Sequence, residues 1–161
     1  MNSAAADVDS HSPEERLANL GVNLPPAPQP VAVYVPAVRS GNLIYSSGQL
    51  PIVDGTVAHP GKVGADVTLE QAQEAARLCA LNALAAIRPL AGDLSAIKRV
   101  VKVVGFVAST ADFTSQPSVI NGASQLLGDV FGASGEHARS AVGVAALPLD
   151  APVEIEIVVE V

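Results

Sequence analysis

The chain has 161 residues and a mass of 16.3 kDa, with 16 Asp and Glu against 9 Lys and Arg, a formal charge of -7 and a pI near 4.7. That length suits one domain able to bury about 70% of its unfolded surface, so the core needs neither a disulfide nor a structural metal, and the single Cys79 excludes an internal disulfide and a zinc framework. An acidic chain lacks the positive field behind most nucleic-acid affinity, no apolar run is long enough for a transmembrane helix, and Met1 to Asp7 lack the basic-then-apolar order of a secretory signal, so the expectation is a cytoplasmic protein with neither nucleic acid nor a membrane as partner.

Residues 1–12 are small and polar without periodicity and are expected to be disordered. Ser12-Pro13-Glu14-Glu15 then reads as a helix start, with Leu17 and Leu20 facing inward before Gly21. The prolines from Pro25 to Pro30 make an extended connector, so residues 1–30 are an N-terminal extension and residues 31–161 a single domain. Val31 to Val35 and Asn42 to Ser47 read as a hairpin with its turn at Arg39-Ser40-Gly41. Gln49 to Val53 and Thr56 to Ala58 flank Asp54-Gly55, a dipeptide that accepts positive φ at a tight turn.

Thr68 with Gln71 forms a capping box, and Leu69, Ala72, Ala76, Cys79, Ala83 and Ile87 keep helical spacing until Pro89 and Gly92 end the helix. Arg99 to Val107 is a β-branched run with the character of a central strand, apolar on both faces. Ser115-Gln116-Pro117 starts a second long helix reaching about Phe131. Arg139 to Val144 and Val153 to Val161 are the last two strands, separated by a turn at Pro148-Leu149-Asp150. In the final strand Val153, Ile155, Ile157, Val159 and Val161 alternate with Glu154, Glu156 and Glu160, giving one apolar and one acidic face. Two long helices cover one face of about six strands but not both, which predicts a homo-oligomer whose sheets pack against each other.

Three groups of residues could carry chemistry. Arg139 heads a small, apolar strand, where a guanidinium can hold a carboxylate through two parallel hydrogen bonds, although a strand-edge arginine paired with a surface glutamate has the same local sequence. Glu154 and Glu156 share one strand face, as a water-positioning or proton-transfer pair requires and as a solvated acidic face equally provides. Tyr34 can line a pocket, and Gly48 in Ser47-Gly48-Gln49 lets backbone approach a ligand; a core tyrosine and a strand-ending turn explain the same residues. His11, His59 and His137 have no metal-ligand spacing and read as surface histidines, and Cys79 lacks a local base. No phosphate loop, nucleophile elbow or dinucleotide fingerprint occurs, so neither a cofactor nor a metal is expected.

Taken together, Tyr34, Ser47-Gly48-Gln49-Leu50-Pro51, Asn121, Ala138-Arg139-Ser140-Ala141-Val142-Gly143-Val144, Leu147-Pro148-Leu149-Asp150 and Val153-Glu154-Ile155-Glu156 resemble the RidA (YjgF/Rid) superfamily, over about Val31 to Val161. The resemblance implies a chorismate-mutase-like α+β fold, a mixed and mostly antiparallel sheet with two helices on one face, assembled as a homotrimer with a ligand pocket at each subunit interface. It implies cofactor-independent hydrolysis of reactive 2-enamino and 2-imino acids of the 2-aminoacrylate type to 2-keto acids and ammonia. On the matching positions Arg139 binds the substrate carboxylate and Glu154 places the attacking water, as catalytic residues. Gly48, beside Ser47, offers backbone contact, Ala141 a backbone group near the imine nitrogen, and Tyr34 and Asn121 the pocket wall. Ala141 stands where such proteins often have cysteine and Gly143 where they often have glutamate, and extra residues around Thr56 to Val67 and Gly128 to Gly135 mark a longer subgroup. A non-catalytic module binding small carboxylates through the same arginine is the alternative. An endoribonuclease or translation inhibitor is opposed by the charge of -7 and the absence of a His pair or basic groove.

Overall fold

The structure, a computed structural model, describes residues 11–29 and 33–161. After a short helix α1 (Pro13–Asn19) come strands β1 (Ala37–Ser40), β2 (Leu43–Ser46), β3 (Ile52–Val53) and β4 (Thr56–Val57), helix α2 (Leu69–Ala91), strand β5 (Arg99–Ala108), helix α3 (Gln116–Phe131) and strands β6 (Ala138–Val144) and β7 (Val153–Glu160). Five strands form one sheet in the order β1-β2-β7-β5-β6, in which β5 and β6 run parallel and every other pair is antiparallel. β3 and β4 make a separate two-stranded hairpin whose turn residues Asp54 and Gly55 have φ of 50° and 79°, the pair of positive values that a type I′ turn requires.

The chain folds this way because its apolar periods point one way. Val153, Ile155, Ile157 and Val159 of β7 and Val100, Val103 and Val107 of β5 are fully buried beneath α2 and α3. An extra residue in β5, between Val100 and Lys102, resets the alternation so that Val100 and Val103 face the helices although three apart. The stripe Ala72, Ala76, Ala80 and Ala83 of α2 has no exposed surface, and these small side chains let the helix lie close to the sheet. Leu126, Leu127 and Ile120 of α3 are also fully buried, each contributing roughly 1.5–3 kcal/mol relative to exposure. Where α2 meets α3, Gly122 lies against the Gln73 backbone, and the Gln73 side-chain amide donates to Ser118 O at 2.8 Å.

Several expectations hold. Ser12 caps α1 in a box with Glu15, Thr68 caps α2 in a box with Gln71, and α3 starts at Gln116. Others need correction. The first strand is Ala37–Ser40, because the two-residue turn Gly41-Asn42 sets the register Ser40 to Leu43, while Val33 to Val35 are exposed and outside any strand. The expected strand residues Val31 and Ala32, the end of the connector at Pro30 and most of the segment expected to be disordered lie outside the described residues. Leu17 is buried but Leu20, past the end of α1, is exposed. Pro89 sits within α2, whose last residues continue to Ala91 and the glycine cap Gly92 with φ of 88°. The main sheet has five strands rather than about six, since β3 and β4 stand apart, and α1 is a third helix, packed against α3 and joined to the 3-10 turn Leu94–Ala96 through Glu14.

Candidate functional site

Arg139 lies on β6 opposite Val103 of β5, and since Val103 faces the helices, so does Arg139. Its guanidinium reaches one stripe of α3: Nη1 donates to Asn121 Oδ1 at 2.8 Å and to Ser124 Oγ at 3.2 Å, and Nη2 donates to Pro117 O at 3.3 Å. Pro117, Asn121 and Ser124 follow helical spacing, which stacks them on one face. A guanidinium has five N–H donors. The three bonds leave Nε–H and one Nη2–H, the two donors that a carboxylate takes in a forked pair. Asn121, expected as pocket wall, thus holds the arginine. Ala141, two residues along β6, faces the same way and packs against the core beside Gly105.

Tyr34, Gly48 and Glu154 come together elsewhere, in a cleft of about 410 Å³ that Leu50, Pro148 and Leu149 help to line. Gln49 pairs with Ile155 through two backbone bonds of 2.9 and 3.0 Å, which lays Gly48 beside Glu154. A Cβ on Gly48 would overlap Glu154 Oε1 and sit 2.8 Å from its Cδ, so only glycine leaves the carboxylate its place. The Ser47 hydroxyl donates to Val35 O at 2.6 Å and its N–H to Pro36 O at 2.7 Å, fastening the segment that carries Tyr34. Burial, and then the charge of Glu156, push the Glu154 carboxyl up from its ordinary value.

The two groups do not meet within one chain. Glu154 alternates with buried Val153 and Ile155 and therefore faces away from the helices, whereas Arg139 faces toward them. Glu154 pairs with Phe106 and Arg139 with Val103, so they lie two strands apart, about 10 Å across the sheet and about 10 Å along it, on opposite faces.

Of the histidines, His59 pairs with Glu74 at 2.8 Å on the surface, as expected. His137, expected on the surface, is half-buried and bonded to Ser124, a contact that brings an unforeseen residue to Arg139. The signal was present in the sequence: His137 and Arg139 are two apart at a strand start and so share a face. Cys79 is fully buried, its thiol pushed well up by burial, with Sγ donating to Val153 O at 3.5 Å, which makes it core rather than nucleophile. Among the described residues no group of three His, Cys, Asp or Glu side chains could hold a metal ion, and no helix is long and apolar enough to cross a membrane.

Comparison with known proteins agrees with this architecture. Residues 14–161 match the family described as "YjgF/chorismate mutase-like, putative endoribonuclease". Protein TCP17 of Trypanosoma cruzi is 47% identical over 145 residues, 89% of this chain and 91% of that protein. The 2-iminobutanoate/2-iminopropanoate deaminase of Escherichia coli K12 is 33% identical over 130 residues, covering 81% of this chain and 88% of the enzyme. A crystal structure of Atu1372 from Agrobacterium tumefaciens, of unknown function, superposes with a TM-score of 0.85 at 52% identity, covering 92% of this chain and 91% of that one. The sheet order, the two helices on one face and these matches over nearly the whole chain make it a member of the RidA/YjgF superfamily.

Proposed function

We propose that this protein hydrolyses 2-imino acids, and the enamines in equilibrium with them, to 2-keto acids and ammonia without a cofactor, in a homotrimer that joins the Arg139 group of one subunit to the Glu154 cleft of the next. The observation that carries the reading is the guanidinium held by α3 with two donors left over, an anchor for the one group that every such substrate has, its carboxylate. The homologous E. coli enzyme, named for its action on 2-iminobutanoate and 2-iminopropanoate, supports the substrate class.

An iminium carbon is already electrophilic, so orientation and a placed water supply most of what the reaction needs. Arg139 fixes the carboxylate. Glu154 accepts a hydrogen bond from a water, which adds to C2 as one of its protons passes to the carboxylate. That proton then goes to nitrogen, the C–N bond breaks with its electron pair leaving on ammonia, and the remaining hydroxyl gives its proton to the Glu154 carboxylate as it becomes the keto group. A carboxyl pushed up by burial takes a proton from the water more readily than an exposed glutamate does, which suits the first transfer, and the amine nitrogen, more basic than a carboxylate, draws that proton off in the second. Tyr34 closes the pocket as its wall, Gly48 offers backbone contact to the substrate, and Ala141 a backbone group near the imine nitrogen.

A second reading, a module that binds small carboxylates without turnover, is favoured by the fact that the Arg139 anchor is complete without Glu154. The two separate in one assay. Imines generated in situ by an amino-acid oxidase, with small, branched and aromatic side chains, should disappear faster with the protein, and Arg139→Ala should lose at least about a hundredfold with assembly intact. Retained activity in Arg139→Ala sinks the mechanism. Absence of acceleration by the native protein, with pyruvate or 2-oxobutanoate binding in calorimetry, selects the binding module.

A further inference from the structure

We propose that His137 and Ser124 are positioning residues for Arg139, forming with Gly135 a hydrogen-bonded relay of fixed polarity that sets the rotation of the guanidinium. The proposal deepens the carboxylate-anchor reading above and rests on it for the ligand class. His137 Nδ1 lies 2.6 Å from Gly135 O, and its Nε2 lies 2.9 Å from Ser124 Oγ, which in turn is 3.2 Å from Arg139 Nη1. With the His137 ring neutral, the direction of each bond follows from what each group can do. A carbonyl only accepts, so Nδ1 carries the hydrogen and donates to Gly135. In that neutral tautomer Nε2 accepts, so the Ser124 hydroxyl donates to it. The Ser124 oxygen is left with lone pairs only and accepts from Arg139, which has nothing but hydrogens to offer.

The chain is built to hold this arrangement. The 3-10 turn Gly132–Gly135 brings the segment back onto α3, and a Cβ on Gly135 would overlap Leu127 O and lie 2.8 Å from Leu127 C, so this close approach requires glycine. The turn therefore delivers the Gly135 carbonyl to one ring nitrogen of His137 while α3 delivers Ser124 to the other. With Asn121 on its second hydrogen, Arg139 Nη1 has both hydrogens engaged by side chains of α3, one of which, Ser124, is itself held by His137. Rotation of the guanidinium about its Cζ–Nε bond is thereby blocked, and the free Nε–H and Nη2–H keep one direction.

The experiment compares the full-length protein with Ser124→Ala, His137→Phe and His137→Gln, the last able to place an accepting amide oxygen near the Nε2 position. Arg139 Nη signals, observed in protein labelled with 15N-arginine and identified by their loss in Arg139→Lys, should be resolved in the native protein and in His137→Gln. They should merge into averaged signals in Ser124→Ala and His137→Phe. In the imine assay those two variants should raise KM about tenfold with kcat within about twofold, and the double variant should be no worse than Ser124→Ala alone, as expected of groups acting through one bond. Unchanged Arg139 signals in Ser124→Ala and His137→Phe would overturn the relay, as would effects on KM that multiply in the double variant. Because the spectra need no substrate, they decide the relay even where Arg139→Ala leaves imine hydrolysis intact and the deaminase reading fails.

Discussion

Gly48 and Glu154 are a pair in which the smaller residue exists for the larger. Since a Cβ on Gly48 would overlap the Glu154 carboxylate, Gly48→Ala must turn Glu154 out of the cleft or displace the backbone between Ser47 and Gln49. Hydrolysis should fall by about 10²-fold or more in Gly48→Ala, approaching the loss in Glu154→Gln, which removes the acid–base group outright. Near-native turnover in Gly48→Ala would show that the carboxylate is not needed where it stands. Glu154 also carries a cost that depends on pH. Its carboxyl is pushed up in the folded chain, so the folded state holds a proton that the unfolded state releases, and stability falls as pH rises from the unfolded value through the folded one. Glu154→Gln escapes that loss. Urea midpoints should favour the variant at neutral pH, modestly because solvent reaches the group, and the difference should close at acid pH below the ordinary carboxylate value. A gap that widened on acidification would contradict the assignment.

At the level of elements the weak point is the crossing of α2 over α3. The Gly122 Cα faces the Gln73 carbonyl, where a Cβ would overlap the oxygen and lie 2.8 Å from its carbon, and neither helix can retreat without opening the Ala and Leu layer beneath. Gly122→Ala gains helix propensity but should still cost about 1–3 kcal/mol through this overpacking, measured as a lower urea midpoint with an unchanged slope. The helices that meet there were legible in the sequence because their signals are local: the capping box of Thr68 and Gln71, the proline at the start of α3, and apolar spacing. The β7 alternation and the Asp54-Gly55 turn were legible for the same reason. What escaped was non-local. The β1 strand begins at Ala37 because pairing with β2 through a two-residue turn decides it, and Val33 to Val35, though of β-forming type, pair with no strand. Pro89 stays helical because it lies in the last turn, where only the bond to Ala85 O is lost before Gly92 closes the helix. The stripe Pro117, Asn121 and Ser124 was present at helical spacing, yet only the parallel pairing of β6 with β5 turns Arg139 toward it. The antiparallel pairing of β7 with β5, which sets Glu154 against Phe106, sends Glu154 to the other face.

For the whole molecule, the proposed deaminase site requires that assembly bring together the Arg139 and Glu154 groups that one chain holds apart. The sheet face away from the helices carries rows that run across strands, Val38, Tyr45 and Val158 in one, Glu154, Phe106 and Val142 in another, and Val38, Tyr45 and Val142 are exposed on the isolated chain. This surface is apolar around an acidic stripe rather than simply acidic, and it suits burial against copies of itself better than water. On the homotrimer proposed above, sedimentation at micromolar concentration should give three times the 16.3 kDa chain mass, and Phe106→Asp on this face should lower it. If each site takes Arg139 from one subunit and Glu154 from another, two inactive variants can repair each other. Arg139→Ala supplies Glu154, Glu154→Gln supplies Arg139, and random mixing in a closed ring gives both native groups at about a quarter of the sites. Unfolding the two variants together in urea and refolding them as a mixture should then restore roughly a quarter of native turnover, while the same treatment of either alone restores none. If the mixture stays as inactive as its parts although it contains mixed trimers, both residues must serve a site within one chain, and the shared site is wrong.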